Sequence, residues 1–203
     1  MVWVVNDQTV NGSETGTSFR QALHAIECGF NLHDTMIYKK INYIPLTHNR
    51  YEQCFEFMFV FSKGRPKTFN PIMVECINGG KVESYGNLRR NLLDKKQAMR
   101  VEEGISYKPT KEKKIHANMF EYSCGTGDQT GHPAVFPMKL AKDHIVSWSN
   151  EGDMVFDPFL GSGTTRIAAY DTNRNFMGAE ISKEYFNAEE KRFQEHTAQT
   201  RMF

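Results

Sequence analysis

At 203 residues, with 39% hydrophobic and 12% aromatic side chains, the chain can build one domain around its own core, which excludes a disordered polymer. A formal net charge of +1 points by itself to no polyanionic partner. No apolar run approaches a membrane span in length, and the short apolar start lacks the basic flank of a signal peptide. The four cysteines (Cys28, Cys54, Cys76 and Cys124) form no Cys-x-x-Cys pair, which argues against a disulfide framework or a metal site and for reduced thiols in a cytoplasmic protein.

In chain order, Val2–Val5 is a continuous apolar run, the pattern of a strand buried on both faces of a parallel sheet. Asn6 and Asp7 follow it, either as a polar strand-end turn or as part of the mouth of a site. Residues 11–18 are a polar connection. Phe19, Ala22, Leu23 and Ile26 make a helical stripe expected to pack on the sheet, with Gly29 beyond its end. A strand over Leu32–Tyr38 completes a βαβ unit, with His33 on its surface. A loop over 42–50 leads to an aromatic strand, Phe55–Phe61, and the Gly64-Arg-Pro-Lys turn. With no helix between them, the strands around Ile37 and Phe59 are expected to form an antiparallel hairpin at the sheet edge.

From 79 to 123 the apolar periodicity weakens and basic residues gather, among them Arg89, Arg90, Lys95, Lys96 and Arg100, with Tyr85, Tyr107, Phe120 and Tyr122 interleaved. Such a segment can grip a nucleic-acid backbone; it can equally be a solvated loop. His132-Pro133 then opens a helix whose buried side carries Phe136, Leu140 and Ile145. The last helix is expected from Lys183 to about residue 197, packing through Tyr185, Ala188 and Phe193.

The stretch Asp153-Met-Val-Phe-Asp-Pro-Phe-Leu-Gly-Ser-Gly-Thr-Thr165 reads as strand, glycine loop and helix start, a unit that places ligands at the carboxyl end of a strand. A phosphate-binding P-loop would need Lys where Thr164 stands, and a dinucleotide fingerprint would need a small residue where Arg166 stands. The next strand, Asn175-Phe-Met-Gly-Ala-Glu180, ends on an acid at the position that faces ribose hydroxyls. An acid before the loop, an acid after it and no basic residue within it suit a nucleoside with a cationic or zwitterionic tail, such as S-adenosylmethionine.

Asp157-Pro-Phe-Leu-Gly-Ser-Gly-Thr-Thr165 resembles motif I of the DNA amino-methyltransferases, which methylate the exocyclic nitrogen of adenine or cytosine. His132-Pro-Ala-Val-Phe-Pro137 resembles their motif X, Met177-Gly-Ala-Glu-Ile-Ser-Lys-Glu-Tyr185 their motif II, and Tyr51-Glu-Gln-Cys-Phe-Glu-Phe-Met-Phe-Val-Phe-Ser-Lys63 their motif VIII, in the order of the permuted beta group. The resemblance implies an α/β fold with a doubly wound, Rossmann-like sheet, mostly parallel with an antiparallel edge hairpin. It divides the single domain into the second half of the sheet (1–78), a target-recognition insertion contacting DNA (79–123) and an S-adenosylmethionine-binding half (124–203). Asp157 and Phe159 would meet the amino acid end of the cofactor, Gly161 and Gly163 would let it approach, and Glu180 would hold its ribose. Pro158, Ser162 and Thr164 complete the loop, and His132, Pro133 and Phe136 would line the same pocket.

The family's catalytic motif IV, a Pro-Pro-Tyr/Phe segment whose acceptors hold the target amine, is missing: Pro45, Pro66, Pro71, Pro109, Pro133, Pro137 and Pro158 are all solitary. By resemblance its strand lies between the motif I strand and the Val2 strand, so the sheet is expected to be incomplete toward the N-terminus, with unpaired backbone groups on both sides of a gap. Three expectations follow: a truncated chain, the carboxyl part of a split enzyme that needs a partner fragment, or direct pairing of the two flanking strands. The alternative function is a non-catalytic cofactor- or DNA-binding remnant. Adenine and cytosine are not distinguished.

Overall fold

The structure, a computed structural model, describes residues 1–43, 49–77, 79–80, 111–123 and 136–200. The chain divides into two units, one formed by Met1–Asn70 with Ala117–Phe203 and the other by Pro71–His116.

The first unit begins with β1 (Val2–Val5) and a short hairpin, β2 (Thr9–Val10) and β3 (Ser13–Glu14). Asn11 and Gly12, both at positive φ, make the hairpin turn, as expected of an Asn-Gly pair in a two-residue loop. Helix α1 (Thr17–Glu27), β4 (Asn31–Lys40) and β5 (Phe55–Ser62) follow. A sheet forms in the order β1-β5-β4-β8, where β8 is Met119–Tyr122. β5 runs antiparallel to both neighbours and β8 parallel to β4, so a single strand opposes the other three. The expected hairpin is present, with Thr35 opposite Phe59 and Ile37 opposite Phe57. It lies inside the sheet rather than at an edge, because β1 and β8 flank it. Residues 119–122, which fall in the basic stretch by composition, thus form the outer strand.

Alternation along β5 builds both cores. Met58 and Val60 point to one face, where Met36, Tyr38, Tyr122 and Leu140 close around them. Phe59 and Phe61 point to the other, against Ala22 of α1. β1 follows the same period of two, with Val2 and Val4 on the first face and Trp3 and Val5 on the second. Its four residues are half-buried rather than fully buried. The large apolar residues of α1 are not its packing face: Phe19, Leu23 and Ile26 are exposed, while Ser18 and Ala22 are buried. The small Ala22 packs with Phe59 and Phe61, Ser18 is buried at its bonds to Asp7, and Phe19 keeps an edge-on contact with Phe57 at 5.3 Å.

Helix α2 (Met138–Trp148), β9 (Met154–Asp157), α3 (Thr164–Asp171), β10 (Asn175–Gly178) and α4 (Lys183–Thr200) complete this unit. The α2 helix starts after Pro137, five residues later than the His132-Pro133 pair suggested; that pair lies outside the described residues. Leu140 of α2 packs under β4 and β5, and its neighbours Ala141 and Ile145 pack against Ala168 and Ala169 of α3. β9 and β10 are parallel, joined by α3 as a crossover.

Among the described residues β9 pairs only with β10, and β1 only with β5. The two strands do not pair with each other, so direct closure of the sheet does not occur. One face of the β9–β10 pair packs through Val155 and Phe176. Met154, Phe156 and Met177 on the other face are more than half exposed. The ring of Trp3 in β1 meets that of Phe159, just past β9, edge-on at 5.9 Å.

In the second unit, β6 (Met73–Glu75) and β7 (Lys113–Ile115) form an antiparallel pair with Met73 opposite Ile115. Arg89, Arg90, Lys95, Lys96 and Arg100 lie outside the described residues.

Candidate functional site

β9 delivers Asp157 to its carboxyl end, and the chain then turns through Gly161 at φ 52° and Gly163 at φ 77° into α3. Both angles are left-handed, where a side chain is strained. The Asp157 carboxylate organises this turn. One oxygen accepts the Phe159 N–H at 2.9 Å and the other the Thr165 hydroxyl at 2.6 Å, tying the strand end to the first turn of α3. These bonds occupy part of its acceptor capacity, since a carboxylate offers about four lone-pair sites.

Glu180 approaches from the neighbouring strand. It stands two residues past the end of β10, where the chain has left the ladder, so its carboxylate can turn back over the loop. It accepts the Gly161 N–H at 2.8 Å and the Ser182 N–H at 2.9 Å. The Leu160 N–H donates to the Ala179 carbonyl at 2.9 Å. The glycine loop is thus sewn to the β10 end by one main-chain bond and one charge-assisted bond, the latter kind contributing about 1.5–3 kcal/mol.

The loop residues differ in accessibility. Pro158 and Phe159 are exposed, Ser162 is half-buried, and Thr164 is buried. The Thr164 hydroxyl lies 3.1 Å from that of Ser162 and accepts from Arg192 of α4 at 3.3 Å. Arg192 also donates to the Ser162 carbonyl at 2.7 Å. The space a side chain would need at Gly163 is taken by Glu189, whose Cγ would collide with the added carbon.

Glu189 is 1% exposed and meets Arg166 at 2.9 Å and 3.2 Å. Arg166 also donates to Glu190 at 2.7 Å and lies 3.8 Å above the Phe193 ring. Burial pushes the Glu189 carboxyl above its ordinary range, against the opposing pull of Arg166. The hydrogen bond from Arg166 holds Glu190 below the usual range. Glu189 and Arg192 escaped the sequence reading, and Arg166 entered it only as a break in the dinucleotide fingerprint, because their partners lie 23 to 30 residues away, beyond any local pattern.

Arg166 is therefore engaged with α4 carboxylates and Arg192 with loop oxygens, the N–H groups of Phe159, Leu160, Gly161 and Gly163 are taken within the protein, and the remaining charged groups described at the loop are the Asp157 and Glu180 carboxylates. That set fits a nucleoside with a cationic tail better than a nucleotide phosphate.

Phe136 is half-buried at the start of α2, packed against both cores that this helix joins. Asp7, one of the two residues after β1, takes a structural part: its carboxylate accepts from the Ser18 and Thr15 hydroxyls and from the Ser18 N–H at 3.1 Å, capping α1 in place of Gly16. Asn6 accepts from Gln53 at 2.6 Å. Among the described residues Cys28, Cys54 and Cys76 are free thiols, and no helix is long and apolar enough to cross a membrane.

A β-α-β crossover with a glycine loop bounded by two acids defines a nucleoside-binding α/β protein. The chain matches the N6/N4 DNA methylase family over residues 1–191 and belongs to it. The orphan methyltransferase M.BamHII of Bacillus amyloliquefaciens is 46% identical over 205 aligned residues, which cover 97% of this chain and 75% of that protein. Among solved structures, the cytosine-N4-specific PvuII DNA methyltransferase superposes with a TM-score of 0.68 at 20% identity, over 95% of this chain and 62% of that one, a likeness of fold. M1.HpyAVI, in its complex with SAM, superposes with a TM-score of 0.58 at 27% identity, over 95% of this chain and 74% of that one.

Proposed function

We propose that the chain binds S-adenosylmethionine at the loop between β9 and α3 and serves methyl transfer to the exocyclic amino group of adenine or cytosine in DNA. The observation that carries this reading is the meeting of Asp157, the Gly161 N–H and Glu180 around one glycine loop. Asp157 and Phe159 take the amino acid end, with Pro158 beside them. Gly161, Ser162, Gly163 and Thr164 shape the loop, and Glu180 takes the ribose hydroxyls. Phe136, with His132 and Pro133, lines the approach. Arg89, Arg90, Lys95, Lys96 and Arg100 in the 79–123 segment grip the DNA backbone. The bound cofactor supplies an activated methyl group; its transfer to the amine nitrogen releases one proton from that nitrogen. Since an exocyclic amine is a weak nucleophile, the reaction also needs acceptors aimed at its hydrogens and a base drawn out of the stack.

A second reading is favoured by the sheet itself. β1 and β9 each have one ladder partner among the described residues, and Met154, Phe156 and Met177 leave one face of β9–β10 uncovered. On this reading a further segment pairs beside β1 and β9 and carries the groups that hold the target amine. The chain is then the cofactor- and DNA-binding part of a split or complemented enzyme, or a non-catalytic remnant.

Labelled methyl transfer from S-adenosylmethionine to mixed-sequence DNA separates these readings. Incorporation by the chain alone supports a complete catalyst, and mapping the modified base distinguishes adenine from cytosine. Incorporation only after adding a fragment that carries a Pro-Pro-Tyr segment supports the complemented form. Cofactor binding without turnover in either case supports the remnant.

A further inference from the structure

The α3 helix begins without a side-chain cap of its own: Gly163 occupies the cap position and contributes no side-chain hydrogen bond. What holds this turn from below is α4. Arg192 fixes the Ser162 carbonyl at 2.7 Å and reaches the Thr164 hydroxyl at 3.3 Å. Glu189 fills the space beneath Gly163, and its carboxylate is locked by Arg166 from the first turn of α3. The Arg166 guanidinium is in turn sandwiched between these acids and the Phe193 ring. A buried carboxylate, two arginines and an aromatic ring thus converge where α4 meets the loop and the first turn of α3, and none of them is drawn into the ligand contacts assigned above.

We propose that Arg192 and the Glu189–Arg166 pair are positioning residues that set the affinity of the glycine loop for its nucleoside cofactor. The inference rests on the reading of this loop as the S-adenosylmethionine site. Its physical basis is preorganisation. The shape of the loop that the ligand meets follows from the Gly161–Gly163 dihedrals, and contacts from α4 help to hold those dihedrals beside the bonds to Glu180 and Ala179. Releasing the Ser162 carbonyl lets the loop sample other conformations, and the ligand must then bear the cost of ordering it. A second tether of α4, His196 to Asp171 at 2.6 Å, lies at the far end of α3 and does not touch the loop.

The test is calorimetric titration of the full chain with S-adenosylmethionine, beside thermal melting without ligand. Arg192→Met is expected to weaken binding roughly tenfold, the effect of losing one charge-assisted hydrogen bond. Arg192→Lys, which can still reach a carbonyl, is expected to restore much of it. Glu189→Gln keeps the volume beneath Gly163 and serves as a second variant, with a several-fold loss expected. Asp171→Asn is the control: it loosens both α4 and, through Lys142 at 2.8 Å, α2 at the far end of α3, and should lower the melting temperature while leaving affinity unchanged. Equal affinity in wild type and Arg192→Met, or an equal loss in Asp171→Asn, overturns the positioning role alone. Failure of the folded wild-type chain to bind S-adenosylmethionine overturns both this inference and the reading of the site.

Discussion

The main-chain N–H of Gly161 donates to the Glu180 carboxylate at 2.8 Å, across 19 residues of sequence. One acid therefore ties the end of β10 to the glycine loop, and on the proposed function it also faces the ligand. Glu180→Ala should weaken S-adenosylmethionine binding by roughly tenfold or more, because a charge-assisted bond to the ribose and the order of the loop are lost together. Glu180→Gln should retain part of the affinity, since an amide oxygen can still accept the Gly161 N–H. Calorimetry on both variants checks this, and unchanged affinity in Glu180→Ala would remove the residue from the site.

Gly163→Ala should destabilise the chain by roughly 1–3 kcal/mol, through a left-handed φ and a collision with the buried Glu189 side chain. Gly12→Ala, at a similar φ but with nothing near its added carbon, should cost less. Urea unfolding of the pair separates the contribution of the collision from that of the backbone.

Burial pushes His144 down to about 4, against the opposing pull of Asp143. The imidazole sits 3.1 Å from the Met58 sulfur, between the sheet and α2. In the unfolded chain it titrates near its ordinary 6.5, so below that pH the unfolded state takes up a proton the fold refuses. The stability it contributes is complete above about pH 6.5 and falls as pH drops toward 4, by on the order of 3 kcal/mol in all. His144→Leu should flatten that part of the stability profile, measured by urea unfolding from pH 7 to 4.

Met58 is fully buried where β5 meets α2. Met58→Ala should cost about 2–5 kcal/mol, because the rigid sheet cannot close the cavity. Chemical denaturation at neutral pH checks it, and a loss under about 1 kcal/mol would mean that α2 slides to fill the space.

Much of the fold was legible because strands announce themselves through alternation and local turns. Phe55–Phe61 read as a strand and forms β5; Asn175–Glu180 read as a strand, and β10 forms over Asn175–Gly178, two residues short of the acid. The Asn11-Gly12 hairpin was also legible and was passed over as a polar connection. Other features depend on tertiary contacts that no local pattern encodes. The exposed Phe19, Leu23 and Ile26 look like a core stripe, yet Ala22 packs on the phenylalanine rings and Ser18 is buried at its bonds to Asp7. Asp157 and Glu180 could be found because one ends a strand before the glycine loop and the other follows the next strand within two residues. Glu189 could not, since a glutamate in a polar helix reads as a solvated residue until the bare face of Gly163 is seen against it.

The most direct test of the central claim is titration of the folded chain with S-adenosylmethionine and, separately, with a nucleoside triphosphate. A loop bounded by Asp157 and Glu180, with Arg166 engaged by α4 carboxylates and Arg192 by loop oxygens, should give saturable one-to-one binding of S-adenosylmethionine and no measurable binding of the triphosphate. Preference for the triphosphate, or no binding of S-adenosylmethionine by a chain shown to be folded, would contradict the account.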